Sequence, residues 1–243
     1  FGGSNEAPTI GNLTTTIACS DGDYENLYGG ANKADITGNV TLNVLGSNIT
    51  NLFGGSKGSE DHAADITGNV TLNIFGGNIT NAFGGSDING NITGVVMVNV
   101  IDTVTDCALD LTNVYGGSRL TALTASNSAT VSPVVNLVHG TVKGTVFGGS
   151  YGVAATTSSN PEVNIGYASY MDGYLPKKQN GDPAVPANPQ AAVMEHVHGG
   201  GELASVVGNT TVNINSDTIG TIGYRRKKET LESQPLDSIY HVT

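Results

Sequence analysis

Ala34-Asp35-Ile36-Thr37-Gly38-Asn39-Val40-Thr41-Leu42-Asn43-Val44 returns as Ala64-Asp65-Ile66-Thr67-Gly68-Asn69-Val70-Thr71-Leu72-Asn73-Ile74. Within the motif Val40, Leu42 and Val44 are apolar, while Thr41 and Asn43 are polar. Alternation at every second residue is a strand with one buried face. A shortened copy stands near the end, Gly208-Asn209-Thr210-Thr211-Val212-Asn213-Ile214.

Working outward, the motif is bracketed by two others. A closing segment reads Asn48-Ile49-Thr50-Asn51-Leu52, then Asn78-Ile79-Thr80-Asn81-Ala82. An aromatic followed by Gly-Gly and a small residue begins at Phe1, Tyr28, Phe53, Phe83, Tyr115 and Phe147, with a degraded copy at His198. The first five steps between these are 27, 25, 30, 32 and 32 residues, and the last is 51.

Superposing the units produces columns. One runs Leu42, Leu72, Val98, Val135, Val163, Val212, and the next Ile17, Val44, Ile74, Val100, Leu137, Ile165, Ile214. The closing segments give Leu27, Leu52, Ala82, Val114, Val146, Val197, Ile222. A polar column, Thr16, Asn43, Asn73, Asn99, Asn136, Asn164, Asn213, lies between the first two. No unit alone buries its apolar face; stacked in register, the columns make one core. The spacing predicts an all-β chain, a right-handed parallel β-helix (β-solenoid) of about seven coils over residues 1–224. Gly-Gly pairs suit tight corners. Antiparallel blades of a propeller usually need about 40 residues or more, longer than most of these units.

Two stretches depart from the pattern. Residues 167–195 hold Pro176, Pro183, Pro186 and Pro189 and read as a loop insertion; 225–243 is charged and reads as a cap or a linker. Charged residues are 13% of the chain, about half the usual share, and glycine numbers 34 of 243. The net charge is −11, and four of ten basic residues form the run Arg225-Arg226-Lys227-Lys228. That balance argues against nucleic acid as a partner. No run of about 18 apolar residues predicts a membrane span. The chain starts inside a repeat with no signal peptide, as expected of a processed chain or a fragment. Cys19 and Cys107 fall in the first and fourth units. At about 4.8 Å per coil they stand roughly 14 Å apart along the axis, beyond the roughly 7 Å a disulfide allows. Two free thiols are expected unless a loop carries Cys107 back.

The repeated Phe-Gly-Gly-Ser and Gly-Asn-Val-Thr-Leu-Asn-Val motifs resemble those of repeat-rich, adhesin-like surface proteins of bacteria, particularly of gut anaerobes, over about 190 residues. Tyr28-Gly29-Gly30-Ala31 is similar to a motif of autotransporter-type β-helices. The resemblance implies a long, secreted, β-helical protein at the cell surface, partnered by glycans or host surface proteins. It also implies continuation of the chain into further repeats. It says little of activity, because fold does not imply function.

Candidate chemistry is sparse. Asp102, Asp106 and Asp110 lie in an extended part of the fourth unit and are candidates for binding sugar or calcium. Thr41, Asn43, Thr71 and Asn73 would present an outward array to a glycan or to ice, although Met97, Val134 and Glu162 interrupt the Thr column. Asp35 stacked over Asp65 would give paired carboxylates, as glycoside hydrolysis requires. As turn residues they would instead cap backbone amides. Asp21-Gly22-Asp23 with Glu25 lacks EF-hand spacing. His196 and His198 share a strand face, but His198 occupies the aromatic column, so no metal is expected. Asn-x-Thr triplets beginning at Asn12, Asn39, Asn48, Asn69, Asn78, Asn91 and Asn209 are largely repeat copies, and no glycans are expected on them. The expected function is a structural or adhesive, non-catalytic segment without cofactors. The alternatives are a carbohydrate-active lyase or glycosidase, or a carbohydrate- or ice-binding solenoid. An enzyme would gather acids in a groove walled by residues 101–113 and 167–195.

Overall fold

The computed structural model describes residues 1–124, 130–178, 181–215, 218–219, 224–226 and 233–235. The chain is all-β, with a curled main sheet of parallel strands and, among the described residues, only two short 3-10 turns, Thr105–Cys107 and Ser169–Gly173.

Alternating strands stack on their own copies. Leu13–Ile17, Val40–Val44, Val70–Ile74, Val96–Ile101, Val131–Val142, Asn160–Ile165 and Thr211–Ile214 pair in that order, all parallel. Asp23–Tyr28, Asn48–Phe53, Gly77–Phe83, Leu109–Tyr115, Val146–Phe147 and Val197–His198 make a second parallel series. A third track is narrower: Thr9 pairs with Ile36, Ile36 with Ile66, and Ile66 with Ile92. Backbone hydrogen bonds therefore run from unit to unit rather than within a hairpin.

The columns read from the sequence are the registers observed. Leu42 pairs with Leu72, Leu72 with Val98, and all three are 0% exposed. Leu27, Leu52, Ala82, Val114, Val146 and Val197 follow one another on the closing strands and pack against the first series in one cluster. Each such aliphatic side chain contributes about 1.5–3 kcal/mol by leaving water. Ile222 lies outside the described residues.

Small polar residues hold the corners. Asn39 N–H donates to Asn12 Oδ1, Asn69 N–H to Asn39 Oδ1, and Val95 N–H to Asn69 Oδ1. The Gly-Asn step thus repeats because each asparagine caps the amide of the next unit. Asp35 and Asp65 do likewise, accepting from the N–H groups of Asp65 and Asn91. The serine of Phe-Gly-Gly-Ser works in the opposite direction. Ser56, Ser86, Ser118 and Ser150 hydroxyls accept from the N–H groups of Ala31, Ser56, Ser86 and Ser118.

The expectation of two free thiols is corrected: Cys19 and Cys107 form a disulfide, with Cα atoms 5.8 Å apart. After Val96–Ile101 the chain does not turn the corner within its own layer. It leaves as an excursion over 102–108 and runs back along the stack. Glycine permits the passage. A Cβ on Gly46 would stand 2.6 Å from Cys107 Sγ and 2.8 Å from Cys19 Cα. Gly76 lies as close beneath the Cys107 carbonyl. The axial separation was real, and the loop spans it.

The second excursion follows Asn160–Ile165 and folds down over the stack. Met171 and Leu175 pack with Ile101 and Val138. Its last residues, Ala191–Val193, form a strand paired with Gly140–Val142. Tyr224–Arg226 and Ser233–Pro235 pair antiparallel. The rest of 225–243, and with it the expectation of a cap or linker, lies outside the described residues.

Candidate functional site

The two excursions meet at one corner, where Val131–Val142 bends from the first strand series into the second. Val135 pairs with Val98 and Val163, whereas Thr141 pairs with Ala192. The bend falls at Gly140, whose φ of 114° is left-handed and favours glycine. A Cβ there would meet Asp102 Cβ at 3.0 Å. Beside it opens a cavity of about 540 Å³, lined among others by Asp102, His139, Tyr167, Gln190 and Asn215. A second hollow of about 400 Å³ shares Asp102 and His139 and reaches Pro186.

His139 is fixed by the second excursion: its Nδ1 accepts the Gln190 N–H at 2.9 Å. With Nδ1 accepting, the donor this ring offers is Nε2–H. The Asp102 N–H donates to the His139 carbonyl at 3.0 Å. Burial lifts the Asp102 carboxyl above the usual carboxylate range, while His139 and a hydrogen bond from the Leu109 backbone pull it down. Asp102 therefore also closes its own excursion, from residue 102 to 109.

The three acids of this unit do not converge. Asp106 is exposed on the 3-10 turn. Asp110 sits on a closing strand and pairs with Lys143 at 2.6 Å, both side chains largely exposed. Asp102 alone of the three lines the cavity.

The polar array divides. Thr41, Asn43 and Thr71 are partly exposed, but Asn73 is 3% exposed. Asn73, Asn99, Asn136 and Asn164 form an amide ladder, each Nδ2 donating to the preceding Oδ1, at 2.9 Å in every step. The second excursion roofs this ladder: Asn99 donates to the Tyr174 carbonyl, and the Tyr170 hydroxyl donates to Asn164. A face that alternation alone presents to solvent is thus covered over much of its length.

A groove of about 580 Å³ runs along the other side, beside the aromatic column. Phe1, Tyr28, Phe53, Phe83, Tyr115, Phe147 and His198 stack face to face, with centroids 4.7–5.0 Å apart. His198 continues the ladder rather than breaking it. No group of three or more metal-ligating side chains occurs among the described residues. Asn51, Asn81 and Asn113 line the groove as a second amide ladder, with steps of 3.2 Å. Because ring faces are engaged with other rings, only ring edges reach the groove.

Sequence reading missed what covers those rings. The residue four places after each aromatic stacks as a column of its own: Asp87, Arg119, Tyr151 and Glu202 follow Phe83, Tyr115, Phe147 and His198. Arg119 Nε bonds Asp87 at 2.6 Å, and its guanidinium carbon stands 5.5 Å from the centre of the Phe53 ring. Tyr151 meets Phe83 and Tyr115 edge-on. Tyr28 donates to Asp87 and Tyr115 to Glu202. The fixed offset was visible, but the column mixes amides, acids, bases and a tyrosine, so no repeated residue marks it.

No protein-family model, no curated protein and no solved structure matches the chain.

Proposed function

We propose that the chain is a rigid, non-catalytic structural or adhesive segment of an extracellular bacterial surface protein. It is wound as a right-handed parallel β-helix of about seven coils. The observation that carries this reading is the axial continuity of side-chain ladders. Aromatic rings run from Phe1 to His198, and amides from Asn43 to Asn213, each bonded or stacked on its own copy. A structure whose polar and aromatic groups are committed to the neighbouring unit resists bending and is suited to holding one end away from the other. The Cys19–Cys107 disulfide supports an oxidising, extracellular setting. No helix among the described residues is long and apolar enough to cross a membrane. Glycans or host surface proteins fit the low charge and acidic balance as partners, with further repeats continuing the stack.

Small-angle scattering tests the spacer. Excising residues 53–82, one repeat, should shorten the rod by about 4.8 Å with its cross-section unchanged. Loss of the rod form on excision of a single repeat would sink the reading.

One observation favours a second reading, a carbohydrate-active enzyme: the cavity walled by both excursions and holding Asp102. Release of reducing sugar from a glycan substrate, abolished in Asp102→Ala, would establish it in place of the structural reading.

A further inference from the structure

The corner cavity is more than the repeat requires. Repeats of 25–30 residues turn their corners with short runs of glycine, asparagine, aspartate and serine. The fourth and sixth units add long excursions, and both end at this corner. In repeat proteins, insertions gather on the face that binds. Each excursion is separately anchored. A disulfide holds the first, and the Met171–Leu175 apolar cluster holds the second. Anchored loops keep side chains from distant parts of the sequence at fixed positions without a bound ligand, which lowers the cost of ordering on binding.

We propose that this cavity binds a sugar unit of a neutral glycan, with Asp102, His139 and Gln190 contacting its hydroxyls. The volume of about 540 Å³ falls within the roughly 300–1,000 Å³ of small-molecule sites. Such sites are usually apolar, whereas this wall offers a carboxylate, an imidazole, side-chain amides and a tyrosine ring. Those groups match a ligand rich in hydroxyls, which both donates and accepts. Asp102 can take two hydroxyl hydrogens beyond its bond from Leu109, and the His139 Nε2–H can give one. Asp102 is the one acid in this lining and neither Lys nor Arg stands in it, which disfavours uronates and other acidic sugars. The inference goes beyond the spacer reading. A rod that binds no glycan defeats this inference alone, and a chain that binds here without forming a rod defeats the other.

The test is a glycan array of matched neutral and uronate-containing oligosaccharides, followed by calorimetric titration with the tightest neutral one. Gln190→Ala keeps the main-chain bond to His139 and should weaken binding roughly tenfold. Asp102→Asn, which retains an acceptor for Leu109, should weaken it by roughly tenfold to a hundredfold. Asp110→Asn, on the exposed pair with Lys143, should bind as the parent does. Circular dichroism and thiol titration confirm fold and disulfide in each variant. The proposal fails if no neutral oligosaccharide binds, if uronate-containing ones bind more tightly, or if Asp102→Asn and Gln190→Ala both retain the parent affinity.

Discussion

The Gly-Gly-Ser corner and the excursion corner solve the same problem, how to turn the chain and rejoin the stack, by different means. At the first, the serine hydroxyls bond the neighbouring copy: Ser56 to Ala31, Ser86 to Ser56, Ser118 to Ser86. At the second, bonds skip layers. Cys107 reaches Cys19 across 88 residues, and Asn99 reaches Tyr174 across 75. A repeat array held only by nearest neighbours opens one interface at a time. The excursion corner ties several layers into one cooperative block. The lesson is that regular corners supply length and irregular ones supply cooperativity and a place to bind.

The sharpest way to break that contrast is to cut the longest tie. Replacing both Cys19 and Cys107 by serine removes a cross-link closing a loop of 88 residues, worth about 4–5 kcal/mol in the chain-entropy account. The urea midpoint of the parent should fall on reduction to that of the double variant, which itself should ignore reductant. Hydrogen exchange should quicken at 102–108 first, with the Gly-Gly-Ser amides of the later units holding. A parent midpoint indifferent to reductant would show that the block is held without the cross-link.

Cutting one rung of the regular corner should cost less. Ser86→Ala leaves the buried Ser56 N–H without its acceptor, a loss of about 1–3 kcal/mol. Because the partner is the adjacent unit, reductant should leave this loss unchanged. A decrement that grows on reduction would mean that the two corners are coupled.

The same division decides what the sequence disclosed. Leu42, Leu72 and Val98 could be placed because a one-residue slip would turn every apolar side chain outward, so alternation fixes register. The corner caps were legible: Asp35 and Asp65 read as turn residues that cap backbone amides, and they accept from the N–H groups of Asp65 and Asn91. The disulfide came through the exception the axial estimate left open, a loop carrying Cys107 back, here over Gly76 and Gly46; counting layers could not decide whether that loop returns. Asp102 was named with Asp106 and Asp110 on sequence proximity. Only the fold separates them, since Asp106 rides the turn carrying Cys107 and Asp110 is committed to Lys143. Nothing local marks His139 or Gln190, which gain their place from strand pairing and from an excursion that ends against it.

The weakest expected effect is silent at neutral pH and compares rungs within the aromatic ladder. Phe53, Phe83 and Phe147 ask only for stacking, while Tyr28 and Tyr115 must also place a hydroxyl. They place it against carboxylates, Tyr28 on Asp87 at 2.7 Å and Tyr115 on Glu202 at 2.5 Å. Burial first, and then the bonded carboxylate, raises both phenols well above their ordinary value. The folded chain therefore holds these protons more tightly than the unfolded chain does. Their contribution is complete below about pH 10, where the unfolded phenol titrates, and declines as pH rises through the folded values. Joining Tyr28→Phe to Tyr115→Phe should flatten the loss of stability between about pH 10 and 11. Urea midpoints at pH 8 and 11 decide it: equal alkaline losses in parent and double variant would mean that the ladder hydroxyls are no better shielded than those at the surface.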